Sequence, residues 1–191
     1  MRLSSPSAHL HIFTFAHSHS IMKIYLLGFM GCGKTHWAKL IGEKLGIPFF
    51  DLDQEIIAIE GKSINELFAD EGEEFFRRKE TELLMAITKS NKSFVMACGG
   101  GTPCFFNNID FMNKNGTTIW INCSVDCLHS RLVKEKGMRP LIRNLSDEEL
   151  RGYIIKKYAD RKIFYQQASI ILNEDDITLE KMLEPIFHDK A

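Results

Sequence analysis

The segment Gly28-Phe29-Met30-Gly31-Cys32-Gly33-Lys34-Thr35 constrains the fold of this chain more than any other. It has the spacing G-x-x-x-x-G-K-[ST], follows an apolar run at residues 23–27 and precedes an amphipathic stretch at 35–45. Glycines here permit tight backbone conformations, so that successive N–H groups and the N-terminus of the following helix can surround a polyphosphate. A glycine-rich turn carrying a chance lysine would not require a strand before it and a helix after it. Lys34 is therefore expected to reach the β- and γ-phosphates of a nucleotide, and the Thr35 hydroxyl to hold Mg²⁺. Gly31, Cys32, Gly33, Lys34, Thr35 and His36 are the candidate ATP-binding residues of this loop. Cys32 reads as a tolerated small residue rather than a redox switch, because reactivity needs exposure and a lowered pKa.

Downstream, short apolar runs alternate with longer amphipathic segments, the pattern of βαβ units and a parallel sheet. Strands are expected at 23–27, 48–50, 94–97, 117–121 and 169–172. Helices are expected at 35–45, 63–69 with 73–90, 125–136 and 147–164, which places helices on both faces of the sheet. Ser146-Asp147-Glu148-Glu149 has the form of a capping box before a long helix ending near Arg161. Residues 134–145 then form a charged loop between two helices. No repeat or linker divides the chain, and its 191 residues fit one domain, expected over residues 22–191.

The first 21 residues are rich in Ser and His, lack acidic residues and show no period, so they are expected to be a disordered extension. Three readings compete: a start codon placed too far upstream, a short targeting segment, or a metal-binding tract of His9, His11, His17 and His19. The first is favoured, since a secretory signal needs a longer apolar run and a transit peptide more arginine. The net charge of -1 gives no electrostatic reason to expect nucleic acid or an anionic membrane as partner. No run approaches the roughly 18 apolar residues of a membrane-spanning helix, and a soluble protein is expected. The 5 cysteines are an odd number, and no pair has the C-x₂-C spacing with a matching second pair that a zinc site would need, which reads as free thiols in a reducing cytosol.

Ligands of an open parallel sheet bind at the carboxyl ends of its strands. Asp51-Leu52-Asp53 ends the second strand, and strand alternation would aim both acids the same way. A hard cation beside phosphates wants carboxylate oxygen, and an attacking hydroxyl wants an acceptor for its proton, so two acids here have two tasks. Capping of a helix from Gln54 onward is the plainer reading of the same acids. Arg77 lies in the run Phe75-Phe76-Arg77-Arg78-Lys79-Glu80, where a helical charge run by itself is usually a solvated face. Gly99, Gly100 and Gly101 follow the third strand, and three glycines in a row cost backbone entropy that close approach to a ligand explains better than a turn. Arg139-Pro140-Leu141 sits in the charged loop, placed to bring a cation over phosphates.

Together, the loop from Gly28, the pair Asp51 and Asp53, the run Phe76–Glu80, the triple glycine, Arg139-Pro140-Leu141 and Arg161 resemble the shikimate kinase family over about residues 22–183. The ordered set is more restrictive than any single motif. The resemblance implies a P-loop NTPase three-layer α/β sandwich with a five-stranded parallel sheet in the order 2-3-1-4-5 and a lid. It also implies transfer of phosphate from ATP, with Mg²⁺, to the 3-hydroxyl of shikimate in chorismate and aromatic amino acid biosynthesis. Asp53 is similar to the family's candidate base, Asp51 and Thr35 to its Mg²⁺ ligands, and Lys34 and Arg139 to its phosphate-facing cations. Arg77 and Arg161 match the pair that grips the shikimate carboxylate, with Gly99, Gly100 and Gly101 at the ring hydroxyls, and Arg131 is the candidate near the adenine. A monomeric cytoplasmic enzyme is expected. Two departures are visible: Ile142 after Leu141 where the family often has Leu, and Cys98 before the glycines where small or polar residues are usual.

Overall fold

The computed structural model describes residues 21–139, 141–174 and 177–188. The expected extension up to residue 20, with its four histidines, and Pro140 of the lid motif lie outside these residues. Five strands, β1 (Lys23–Leu27), β2 (Phe49–Asp51), β3 (Phe94–Ala97), β4 (Thr117–Asn122) and β5 (Ile170–Asn173), form one parallel sheet in the order β2-β3-β1-β4-β5. The helices in chain order are α1 (Lys34–Leu45), α2 (Leu52–Glu60), α3 (Ile64–Asp70), α4 (Gly72–Ser90), α5 (Asn108–Asn115), α6 (Val125–Glu135), α7 (Asp147–Tyr165) and α8 (Leu179–His188).

Central β1 is apolar on both faces because it is covered on both. Ile24 and Leu26 point into one core with Val95, Ala97, Ile119 and Ile121, closed by α1, α6, α8 and the first half of α7. Tyr25 and Leu27 point into the other with Phe94, Met96 and Trp120, closed by α2, α3, α4 and α5. The strand period of two thus builds two separate cores, each buried apolar side chain contributing about 1.5–3 kcal/mol. α7 serves both: Leu150 and Ile154 lie in the first core and Tyr165 in the second.

Several elements depart from the sequence expectation. β2 ends at Asp51, whose side chain accepts a hydrogen bond from Gln54 N (3.3 Å) and caps α2. Asp53 therefore sits in the first turn of a helix, and strand alternation does not relate it to Asp51. α5 and α8 lie where no element was expected. α7, by contrast, carries the expected capping box at Ser146 and ends at Tyr165, one residue beyond the expected 147–164. The segment 134–145 is only partly loop: α6 runs to Glu135 and a 3₁₀ turn covers Lys136–Met138. Ile142 is fully buried in the first core while Leu141 is 59% exposed, so the residue that departs from the family pattern is the one that anchors this segment.

Candidate active site

The carboxyl ends of β1, β2 and β3 converge on a cavity of about 280 Å³ lined by Gly31, Gly33, Lys34, Thr35, His36, Asp51, Asp53, Gly99, Gly100, Glu135 and Arg139, among others. Its floor is the loop after β1. Gly28 has φ 139, and a Cβ there would lie 2.7 Å from Ile121 O and 2.8 Å from Cys32 Sγ, so only glycine fits against β4. Cys32 is buried beneath the loop. Lys34 Nζ donates to the carbonyls of Gly28 and Phe29, both at 2.9 Å, which holds the ammonium over the loop. Thr35 Oγ1 donates to Asp51 Oδ2 at 2.6 Å. One Asp51 oxygen caps α2, the plainer of the two expected readings, and the other accepts from the Thr35 hydroxyl at the start of α1.

Asp53 faces a crowded wall. A Cβ at Gly99 would lie 2.9 Å from Asp53 Oδ1 and 2.5 Å from Glu80 Oε1. Burial pushes the Asp53 carboxyl up to about 6, the nearby carboxylates of Glu80 and Asp51 add to this, and Lys34 and Arg77 oppose it. The result is a carboxylate still ionised at neutral pH but more basic than usual.

Arg77 is not part of a solvated face. It is 7% exposed, its Nη1 donates to Glu80 Oε2 at 2.8 Å, and Nε and Nη2 reach Glu73 Oε1 at 3.2 Å. The guanidinium carbon lies 4.7 Å from the Phe105 ring centroid, 5.0 Å from Phe76 and 5.7 Å from Phe68. Burial by itself would lower the Arg77 pKa, but Glu80 and Glu73 outweigh it and raise the value. Glu80, with no exposed surface, also accepts from Thr102 Oγ1 at 2.5 Å. This pair is presented to the glycines: a Cβ at Gly101 would lie 2.7 Å from Arg77 Cζ, and one at Gly100 would lie 3.1 Å from an Arg161 Nη. Arg161 stands over the Phe29 ring at 5.6 Å, and Tyr165, one turn on, donates to Gly100 O at 2.5 Å. Burial raises the Tyr165 phenol far above its ordinary value, keeping it a donor.

On the far side Arg139 lines the cavity with both Nε and Nη2 on Glu135 Oε2, at 2.8 and 2.7 Å. His36 lines it too, its ring edge-on to Trp37. Arg131 is exposed on α6 and outside the cavity lining, but its Nη1 lies 3.3 Å from Gly31 O, against the back of the loop. Sequence reasoning gave no role to Glu80, Thr102, Tyr165 or Glu135. Glu80 carried a signal, its spacing of three from Arg77 on one helical face. Nothing in the sequence marked the other three.

A phosphate loop opposite a hydroxyl–carboxylate pair, beside a glycine wall backed by arginines, defines a P-loop kinase. The shikimate kinase family model matches residues 30–189. A shikimate kinase from Azobacteroides pseudotrichonymphae is 41% identical over 162 residues, covering 85% of this chain and 95% of that one. A crystal structure of shikimate kinase from Bacteroides thetaiotaomicron superposes with a TM-score of 0.81 at 36% identity, covering 86% of this chain and 97% of that one. Shikimate kinase from Acinetobacter baumannii in complex with shikimate gives a TM-score of 0.79 at 30% identity, covering 90% of this chain and 96% of that one. The chain belongs to the shikimate kinase family.

Proposed function

We propose that the protein, through a catalytic domain spanning residues 22–191, transfers the γ-phosphate of ATP to the 3-hydroxyl of shikimate, giving shikimate 3-phosphate and ADP on the route to chorismate and the aromatic amino acids. The observation that carries this reading is Arg77, a guanidinium held in the core by Glu80 and presented with Arg161 beside the triple glycine. Two planar cations flanking an exposed backbone suit an acceptor that bears a carboxylate and hydroxyls.

Phosphoryl transfer leaves little covalent work for the protein, so its residues act by alignment and charge neutralisation. Asp53 orients the acceptor hydroxyl and takes its proton. Lys34 turns from the carbonyls of Gly28 and Phe29 toward the phosphates, and Arg139 exchanges Glu135 for phosphate oxygen as the 134–145 segment closes and excludes water. The paired oxygens of Thr35 and Asp51 are hard donors that fit Mg²⁺. When bound there, Mg²⁺ supplies charge neutralisation at the β- and γ-phosphate oxygens. We also read the enzyme as a cytoplasmic monomer without a nucleic-acid or membrane partner. The net charge of -1 gives no electrostatic reason for a nucleic-acid or anionic-membrane partner, and among the described residues no helix is long and apolar enough to cross a membrane.

The test is ADP release with ATP and Mg²⁺ in the presence of shikimate, gluconate or nucleoside monophosphates. Turnover confined to shikimate supports the proposal. Turnover with gluconate instead moves the enzyme to another small-polyol acid, and ATP binding without turnover on any acceptor points to a silent nucleotide-binding module.

A further inference from the structure

The geometry points to a zinc site made by Cys123, Cys127 and Glu174, at the joined ends of β4 and β5 on the outer side of the phosphate loop. One ligand atom from each of the three lies within 4.8 Å of the other two. Tetrahedral Zn–S and Zn–O bonds of about 2.3 and 2.0 Å separate ligand atoms by about 3.5–3.8 Å, so small side-chain rotations bring the three onto one ion. None of the cysteines is in a disulfide. Two sulfurs select a thiophilic cation over Mg²⁺ or Ca²⁺, and zinc accepts a mixed sulfur and carboxylate set.

A second observation is the way the set is held. Ser124 N donates to Glu174 Oε2 at 2.7 Å and Ser124 Oγ to Oε1 at 2.8 Å, which fixes the carboxylate. The same Ser124 Oγ accepts from Cys127 N at 3.1 Å as the cap of α6, so one side chain orients two of the three ligands. Support of ligands by such outer hydrogen bonds is a regular feature of metal sites. Cys123 is buried, whereas Cys127 and Glu174 are partly exposed, so an ion enters from solvent and keeps a fourth position open to water.

Binding breaks two S–H bonds and forms two S–Zn bonds, with both protons passing to buffer and no change of oxidation state. The bound set carries one net negative charge: two thiolates and a carboxylate against Zn²⁺. Arg131 Nη1 stands 3.9 Å from Cys123 Sγ and 3.3 Å from Gly31 O. Zinc occupancy thereby fixes Arg131 more firmly against the phosphate loop.

Titration of the full-length protein with Co²⁺ tests this, because sulfur-to-cobalt charge transfer reports thiolate ligands and not the histidines at 9, 11, 17 and 19. One equivalent of Co²⁺ should give this band with tetrahedral d–d intensity, and one equivalent of Zn²⁺ should abolish both. Cys127→Ser should weaken Zn²⁺ binding at least tenfold and reduce the band. Glu174→Gln should weaken binding while leaving the band, and Cys104→Ser, outside the cluster, should change neither. Cys127 is partly exposed, so its variant should fold even if one at buried Cys123 does not. Absence of the charge-transfer band, or an undiminished band in Cys127→Ser, overturns the assignment.

Discussion

Replacing Asp53 by Asn should yield a protein that is more stable yet inactive. Burial, with Glu80 and Asp51 nearby, raises the Asp53 carboxyl from its ordinary 3.8 to about 6. Between those values the folded protein holds a proton that the unfolded chain has released, so this group's contribution to stability falls as pH rises through that window. The full cost is present above the folded value. About two pKa units at about 1.4 kcal/mol each place it near 3 kcal/mol at neutral pH. Asn is nearly isosteric with the protonated acid, but its amide cannot reproduce every contact, so a gain of about 1–3 kcal/mol is expected. Urea denaturation at pH 8 should show this gain, and at pH 4 it should vanish because the wild-type carboxyl is then protonated in the fold. Turnover should be lost with ATP binding retained. Equal or lower stability of the variant at pH 8 would refute the claim that a costly charge is kept here for chemistry.

In the wild type, kcat/KM for the acceptor should decline below pH about 6 with the slope of one proton, since protonated Asp53 cannot accept the hydroxyl proton; a flat profile to pH 5 would exclude it as the base. Arg77→Ala leaves Glu80 as an uncompensated buried charge, so urea titration should show a loss of about 3–5 kcal/mol, and any folded fraction should have a raised acceptor KM. In Gly101→Ala the new methyl falls 2.7 Å from Arg77 Cζ; steady-state kinetics should show acceptor KM rising at least tenfold while the KM for ATP changes little. Asp51→Asn can still cap α2, so stability should hold within about 0.5 kcal/mol. The Mg²⁺ concentration for half-maximal rate should nevertheless rise several-fold.

The nucleotide side of the site was legible because its signals are local. The loop from Gly28 to Thr35 carries its backbone demands and its chemistry in eight consecutive residues, flanked by a strand and a helix with clear periods. The sheet order came from the resemblance and not from the pattern itself. α2 entered only as the plainer reading of the two acids, a helix from Gln54 onward, because Asp51 serves at once as the last strand residue and the helix cap. α5 is short and polar, and α8 contains Pro185, so propensity argued against both; packing of Ile109 and Met112 in one core, and of Met182 and Ile186 in the other, decided the outcome. On the acceptor side, the burial of Arg77 depends on Phe68 from α3 and on Phe105 and Thr102 from the segment after β3, both outside its own helix. No single-chain pattern distinguishes it from its neighbour Arg78, which is exposed and paired with Glu74.

The Arg77–Glu80–Thr102 network also bears on how this enzyme can change by mutation. Losing either charge strands the other in the core, and one substitution cannot repair both. A lineage drifting toward an uncharged acceptor would have to cross an intermediate that folds poorly before it gained anything. If Arg77 grips the acceptor carboxylate as proposed, preference for an acidic acceptor is inherited with the interior of the protein, whereas exposed cations such as Arg131 can be exchanged one step at a time.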